Sequence, residues 1–437
     1  MIITPIKSST DSGLELIAQL LNRFRDADTD CSRAVAAILA AVREKGDKAL
    51  LEYTRRFDAP NFQMSQLQVT RKEFDRAHSQ VDTAFKETLA LAIERLQFFH
   101  EQELEKSWTL TRDDGVITGR LVRPVSAAGL YVPGGRSGRT PLVSSVLMNG
   151  IPAGIAGVQK RIMVTPPNEK GEVHPALLVA ASEIGIEEVF KVGSSWAIAA
   201  LAYGTKSIPR VDVIVGPGNQ YVAEAKHQVA GIVGIDMFAG PSEVLIVADD
   251  SANPAYIAAD MLAQAEHDPQ ALAMLVTTST RIAEQVVTEL EHQLQELDRS
   301  EIASTALKNR GVILLVADVN EAIGLANKIA AEHLELMIEK PDTWLQSIQH
   351  AGAIFLGNYS PEAAGDYLAG PNHVLPTMGT ARFSSALGVE TFLKKSSIIS
   401  YSRAALLEDA PHIMALANLE GLSAHAQSVA VRMKKGD

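Results

Sequence analysis

From Leu130 to Leu356 the chain repeats one pattern. Short, continuously apolar runs alternate with stretches of helical periodicity. Leu130–Val132, Arg161–Val164, Glu188–Val192 and Val211–Val215 read as strands, and Pro175–Glu183 reads as a helix stopped by Gly185. The pattern restarts near Ser242, with strands expected at Val244–Val247, Ala273–Thr277, Val312–Val316, Leu334–Met337 and Ala353–Leu356. A strand followed by a helix, repeated, builds a parallel sheet covered on both faces. Strands buried on both faces are uniformly apolar rather than alternating. The reading is an α/β fold with two such units in series.

Before this region, residues 12–106 are mostly helical. Leu14, Leu16, Ile17, Leu20 and Leu21 recur at helical spacing, as do Val35, Ile38, Leu39 and Val42. Phe85 to Leu104 reads as one long amphipathic helix. Within the second unit, Asn253-Pro254 supplies a cap and a proline at the first turn of a helix that runs to about Asp268. Asp318 with Glu321 forms a capping-box signature for a helix ending near Glu332. The segment after about Gly388 reads as a helical appendage. No short-period repeat or low-complexity tract interrupts the chain.

With 437 residues, 46% of them hydrophobic, the chain can bury a large core spread over two or three domains. The net charge of −12 comes from interleaved acids and bases, so no basic face exists for nucleic acid. Arg432, Lys434 and Lys435 read as a solvated terminus. A single cysteine, Cys31, excludes an intrachain disulfide and a thiolate zinc cage. A tightly held transition metal must use His, Asp, Glu or Gln. The first residues lack a secretory pattern, and no run approaches the ~20 apolar residues of a membrane span. The expected compartment is the cytoplasm, with no membrane partner.

Several clusters carry chemistry. Gln264 and His267 stand three apart at a helix end, so they share a face and suit one metal; an ordinary helix terminus with a histidine against the dipole gives the same pattern. Glu332-His333 sits where a helix gives way to a strand. Strand ends and the adjoining loops are where α/β proteins place sites, and carboxyl ends are the usual place. The pair supplies two proton acceptors, the histidine suited to work near neutrality, although a solvated polar pair reads the same way. Gly365-Asp366-Tyr367-Leu368-Ala369-Gly370-Pro371-Asn372-His373 is a polar loop after a buried strand, open to a binding or a plain surface reading. Glu420 and His425 matter only if the tail reaches a site elsewhere. Val215-Gly216-Pro217-Gly218-Asn219-Gln220-Tyr221 follows a strand and suits phosphate, but Tyr221 replaces the third glycine of the dinucleotide fingerprint. A second glycine-rich stretch, Tyr131-Val132-Pro133-Gly134-Gly135, follows the first strand of the same unit.

Taken together, these segments resemble the histidinol dehydrogenase family over nearly the whole chain. The resemblance is carried by KGDKALLEYTRRF at 45–57, YVPGG at 131–135, SSVLMN at 144–149 and GPGN at 216–219. It continues through AGPSEVLIVAD at 239–249, QAEH at 264–267, AEHLE at 331–335, GDYLAGPNHVLPT at 365–377 and EGLSAH at 420–425.

The resemblance implies a zinc-dependent homodimer with incomplete Rossmann-like domains. It implies oxidation of L-histidinol to L-histidine with two NAD, through an aldehyde that is not released. The implied zinc ligands are Gln264, His267, Asp366 and His425, the last supplied by the partner subunit. His333 is implied as the base that takes the hydroxyl proton, and Glu332 as the group that activates water. Ser144, Ser242, Tyr367, His373 and Glu420 are implied substrate contacts. Tyr131 and Asn219 are implied NAD contacts, and Trp196 stands where some relatives carry a glutamine. Arg136 and Arg139 lie in a loop longer than in such relatives, facing either pyrophosphate or solvent.

The expected domains are an N-terminal arm (1–22), a discontinuous zinc and catalytic domain (23–127 and 242–388), an NAD-side domain (128–241) and a dimerisation tail (389–437). Three other functions fit parts of the pattern. A paralogue oxidising another small alcohol, such as sulfopropanediol, would keep Glu332, His333 and the ligands, and a guanidinium suits a sulfonate. A zinc hydrolase would use Glu332 on a metal-bound water, leave one coordination position open and need no NAD. A catalytically silent zinc-binding dimer would need neither Glu332 nor His333.

Overall fold

The computed structural model describes residues 2–23, 29–134, 140–238 and 240–434. It divides into two compact units. Unit 1 comprises residues 1–103 and 125–392, and unit 2 comprises residues 104–124 and 393–437. The strands among the described residues are β1 (Ile6–Lys7), β2 (Trp108–Thr111), β3 (Ile117–Pro124), β4 (Ala127–Tyr131), β5 (Lys160–Val164), β6 (Glu188–Phe190) and β7 (Val213–Val215). They continue as β8 (Gly234–Ile235), β9 (Glu243–Ala248), β10 (Leu272–Thr277), β11 (Val312–Leu315), β12 (His333–Met337), β13 (Ala353–Leu356) and β14 (Leu393–Ser400).

Unit 1 holds two parallel sheets. One runs β6-β5-β4-β7-β8 and the other β1-β11-β10-β9-β12-β13. Every strand expected from the apolar runs is present. In β4, β9, β10 and β12 every residue is buried, as strands covered on both faces require. The two faces of the six-stranded sheet feed separate cores. Val244, Ile246, Leu275 and Ile313 pack to one side, and Leu245, Val247, Met274 and Leu314 to the other.

Helix signals are realised with one change. Asn253 caps the helix Pro254–Ala265, its Oδ1 accepting from the Ala255 N–H at 3.0 Å. Asp318 caps the helix Val319–Ile329 by accepting from the Glu321 N–H at 2.9 Å. Glu321 does not close the box on Asp318. Its carboxylate accepts from the Ala317 N–H at 2.8 Å and from the Ser8 hydroxyl at 2.6 Å. Ser8 directly follows β1, which pairs with β11, so a tertiary contact has captured the side chain that local spacing assigned to the cap.

The N-terminal helices occur as expected: Asp11–Leu21, Thr29–Lys45, Asp47–Phe57, Arg71–Gln80 and Thr83–His100. Arg23, just past the first of these, reaches into the core. Its guanidinium meets the fully buried Glu243 carboxylate at 2.6 and 2.9 Å and also donates to the Leu20 and Ile329 carbonyls.

Unit 2 is an antiparallel sheet, β14-β3-β2, followed by the helices Arg403–Leu419 and Ser423–Met433. The two terminal helices match the reading of the tail. The strand β14 adds to it, pairing along its full length with β3, a partner more than 250 residues earlier that local spacing does not reveal. Among the described residues no helix is long and apolar enough to cross a membrane.

Removing one partner of a buried ion pair leaves an uncompensated charge in the core, at a cost of about 3–5 kcal/mol. Arg23→Ala is therefore expected to lower the free energy of unfolding by that order, read as a fall in the denaturant midpoint at unchanged m. An unchanged midpoint would show that Glu243 does not depend on the pair.

Candidate active site

The two sheets contribute opposite edges. Tyr131 and the Gly216–Asn219 loop stand at the carboxyl ends of β4 and β7, neighbours at the point where the strand order reverses. Open parallel sheets bind ligands at such a point. Glu332, His333 and Glu243 instead stand at the amino ends of β12 and β9, where His333 is in register with Val244 and Ala353. This differs from the carboxyl-end placement that is usual for such folds. The cause is the path of the chain. After β9 the helix Pro254–Ala265 runs back to the amino edge and delivers Gln264 and His267 there. The helix Val143–Ile155 ties the two edges together. Asn149 Nδ2 donates to the Tyr131 carbonyl at 3.0 Å, and the Met148 carbonyl accepts from Asn372 Nδ2 at 2.7 Å, beside His373.

The backbone of one residue organises Glu332 and His333. The Glu243 N–H donates to Glu332 Oε2 at 2.8 Å, and the Glu243 carbonyl lies 3.0 Å from His333 Nδ1. A carbonyl only accepts, so Nδ1 carries the proton and Nε2 is left as the acceptor. Nε2 is buried and has no protein partner. Burial pushes the imidazole down to about 3, against the pull of that hydrogen bond, so the ring is neutral at ordinary pH. Burial, then the charges of Glu243 and Asp366, pushes the Glu332 carboxyl well above the usual carboxylate range, despite the hydrogen bond from the Glu243 N–H. His373 is held in the same tautomer, its Nδ1 3.1 Å from the Asp366 carbonyl.

His267, Glu362 and Asp366 each present a ligand atom within 4.8 Å of the others. Glu362 and Asp366 stand four apart on the helix Glu362–Tyr367. Oriented to satisfy its neighbours, the wholly buried Gln264 amide donates to the Glu362 carboxylate at 3.1 and 3.2 Å, which leaves its carbonyl oxygen to offer a cation. Among the described residues, no lysine or arginine forms an ion pair with Glu332, Glu362 or Asp366. Burial raises Glu362, and its acidic neighbours raise it further. A cluster of buried acids with nitrogen and oxygen donors and no cation of its own suits a divalent metal. Beside it lies a cavity of about 550 Å³, bounded by His333, Asp366 and His373 on its polar side and by Phe99, Phe355 and Leu387 on its apolar side.

The structure thus brings Gln264, His267, Glu332, His333, Asp366 and His373 together. Ser242 immediately precedes β9, and Ser144 lies in the first turn of Val143–Ile155; both are half-buried. Tyr367, directly after Asp366, is largely exposed. Glu420 and His425 are exposed residues of unit 2, Glu420 at the end of one terminal helix and His425 in the first turn of the other. At the other sheet, the Tyr131 hydroxyl accepts from the Ser194 N–H at 3.2 Å. Asn219 Oδ1 caps the helix Gln220–Val229 by accepting from the Tyr221 and Val222 N–H groups. Gly216 is at φ +114, where a Cβ would fall 2.1 Å from the Tyr131 carbonyl oxygen, so close packing of the two strand ends demands that glycine. Trp196 is buried in the core, stacked on Tyr53 and Phe57 with ring centroids 5.8 and 5.5 Å away. Gly135, Arg136 and Arg139 lie outside the described residues, as does Lys435.

Asn372 lay within the polar loop read as a candidate site, but Glu243 and Glu362 did not stand out in the sequence. A weak signal was present for Glu243, which opens an otherwise wholly apolar strand. The burial of Glu362 at its helix start is visible only in the structure.

Asp58, whose charge reaches Tyr131, has a buried Oδ2 with no hydrogen-bond partner, and burial lifts its carboxyl from 3.8 to about 7. The folded state therefore binds the proton more tightly than the unfolded one, and Asp58 opposes folding increasingly as pH rises from about 4 through about 7. Asp58→Asn is expected to melt higher than the parent at pH 8, with the gap closing near pH 4. Parallel melting differences at both pH values would contradict the assignment.

The family model for histidinol dehydrogenase matches residues 21–433. The histidinol dehydrogenase of Desulfotalea psychrophila is 66% identical over 434 residues, covering 99% of this chain and 100% of that protein. That of Halalkalibacterium halodurans is 50% identical, covering 95% and 97%. The crystal structure of histidinol dehydrogenase from Elizabethkingia anophelis superposes with a TM-score of 0.92 at 37% identity, covering 99% of this chain and 98% of that one.

Proposed function

The chain belongs to the histidinol dehydrogenase family, a family of oxidoreductases, and we propose that it oxidises L-histidinol to L-histidine in two NAD-dependent steps with zinc as resident metal. One observation carries this reading. His333, whose ring is neutral and whose buried Nε2 has no partner among the described residues, lines a cavity beside a cation-seeking cluster.

Gln264, His267 and Asp366 would hold the zinc, with the partner subunit's His425 completing the set. When bound, zinc supplies a cation for the imidazole and amino nitrogens of the substrate, which holds the hydroxymethyl group in place. Tyr131 and Asn219 would hold NAD, which would supply the hydride acceptor for each oxidation. In the first, His333 Nε2 accepts the hydroxyl proton and the alcohol becomes the aldehyde. In the second, Glu332 accepts a proton from the water that adds to the aldehyde carbon, and loss of a second hydride from the hydrate leaves the carboxylate. The raised proton affinity of Glu332 suits it to take that proton in a water-poor site. Ser144, Ser242, Tyr367 and His373, with the partner subunit's Glu420, complete the substrate pocket in this proposal.

The assembly proposed is a cytoplasmic homodimer. The exposed Ile399, Leu416, Leu419 and Leu422 of unit 2 support burial against a second copy. The same proposal divides the chain into an arm (1–22), a zinc and catalytic domain (23–127 with 242–388), an NAD domain (128–241) and a dimerisation tail (389–437).

Two NADH formed per L-histidinol, lost on chelation and restored by zinc, is the expected outcome of a stoichiometric assay. A folded, zinc-loaded, NAD-binding protein that leaves histidinol untouched would point to a different small alcohol, and turnover of an ester or amide without NAD to a hydrolase. Glu332→Gln is expected to spare oxidation of the alcohol more than oxidation of the aldehyde, whereas His333→Asn lowers the first step by about 10²–10⁴-fold. Single-turnover measurements starting from histidinol and from histidinal separate the two; equal losses in Glu332→Gln would remove the water-activating role.

A further inference from the structure

Beneath the site lies a pair of acids that the proposed chemistry does not use. Asp260 and Glu335 are 8% and 1% exposed, and their side chains are hydrogen-bonded to each other. Two carboxylates in contact do not both ionise away from water, and neither oxygen-only group can donate unless one is protonated. Among the described residues no lysine or arginine forms an ion pair with either. Burial raises both carboxyls, and the charge of Asp260 raises Glu335 further, so the two titrate as one unit. Glu335 Oε1 accepts the Glu362 N–H at 3.2 Å, while Oε2 has no donor from any other protein group.

The three groups lie on the three elements that carry the site. Asp260 precedes Gln264 by one turn of the helix Pro254–Ala265, so both face the same way. Glu335 follows His333 by two residues in β12, so these side chains leave the strand on one face. The Glu362 N–H opens the short helix that carries Asp366. The Glu362 side chain, in turn, receives Gln264 and lies 3.7 Å from His333 Nδ1.

We propose that Asp260 and Glu335 hold one proton between them, and that this buried acid pair is a positioning clamp setting Gln264, His333 and Asp366 at the distances the metal and the base require. Neither residue touches the substrate. The inference rests on the proposed zinc site only for what the clamp serves; the clamp itself is a property of the protein fold.

Glu335→Gln keeps a neutral donor for Asp260 and an acceptor for the Glu362 N–H. It is expected to retain the zinc affinity and kcat of the parent. Glu335→Leu removes both bonds and strands Asp260. It is expected to lose about 10- to 100-fold in zinc affinity and kcat, the usual cost of deleting a group that orients a ligand, with KM for NAD unchanged. Zinc affinity is read by chelator competition. Amide exchange across His333–Met337 and Glu362–Tyr367 reads the clamp without turnover, and faster exchange is expected in Glu335→Leu but not in Glu335→Gln. If Glu335→Leu does not fold, the infrared difference between the parent and Glu335→Gln at neutral pH still decides. A protonated-carboxyl stretch lost in the variant supports the pair, and its absence overturns it. Equal damage in both variants, or none in a folded Glu335→Leu, overturns the clamp. Failure of the parent to oxidise histidinol overturns the proposed function alone, because exchange and infrared readouts do not depend on it.

Discussion

The backbone of Glu243 makes the contacts on which the candidate site depends. Its N–H, in the peptide unit shared with Ser242, fixes the Glu332 carboxyl, and its carbonyl, in the unit shared with Val244, fixes the His333 tautomer, so two planar units flanking one Cα orient the two side chains. That residue is immobilised from three directions. β9 pairs with β10 and β12 on either side, and the Glu243 carboxylate is gripped by Arg23 and by the Met378 N–H at 3.1 Å. A buried carboxylate without a cation would be expelled or neutralised, and Arg23 prevents both. The residue just past the first helix thus reaches the base that a strand more than three hundred positions later carries. Backbone groups inside a sheet have little freedom to shift, which makes them better anchors than side chains on loops.

Around this anchor the site sorts charge by partner. Glu243 has its arginine inside the protein. Glu332, Glu362 and Asp366 have none among the described residues, and burial raises their proton affinities. The histidines face the opposite pressure, and His333 and His373 are driven neutral, His373 to about 4. Neutral imidazoles and proton-seeking carboxyls are the states a site needs to accept protons or to hold a metal. The two sheets meet at opposite edges for a related reason. β8 passes to β9 within seven residues, 236–242, so the carboxyl edge of one sheet is joined directly to the amino edge of the other. The helix Val143–Ile155, with Asn149 on one edge and Met148 bonded toward the other, keeps them together.

Much of this was legible in the chain. Continuous apolar runs announced nine strands of the two parallel sheets, because burial on both faces leaves a local compositional mark. Asn253-Pro254 and Asp318 announced helix starts, because a cap is satisfied within one turn. The pairs Gln264 with His267 and Glu332 with His333 were visible because their members are sequence neighbours. β1, β8 and the β2-β3-β14 sheet were not announced. The first two are two-residue strands, and β2, β3 and β14 carry exposed positions along an antiparallel ladder, with no apolar run to mark them. Glu321 was assigned to its own helix cap, and Ser8 took it.

The sequence by itself determined the α/β class, the order of the nine buried parallel strands, the exclusion of a thiolate zinc cage and, through its motifs, the family. Those properties depend on composition and on neighbours within a turn or two, so they are written locally. Only the tertiary structure decided that Glu332 and His333 hang from the backbone of Glu243, that Glu362 orients Gln264, and that Asp260 meets Glu335. It also decided that Glu332 and His333 occupy the amino edge of their sheet. Each of these facts joins residues far apart in sequence through a hydrogen bond or a shared proton whose strength depends on exclusion of water. That exclusion exists only once both sheets are packed.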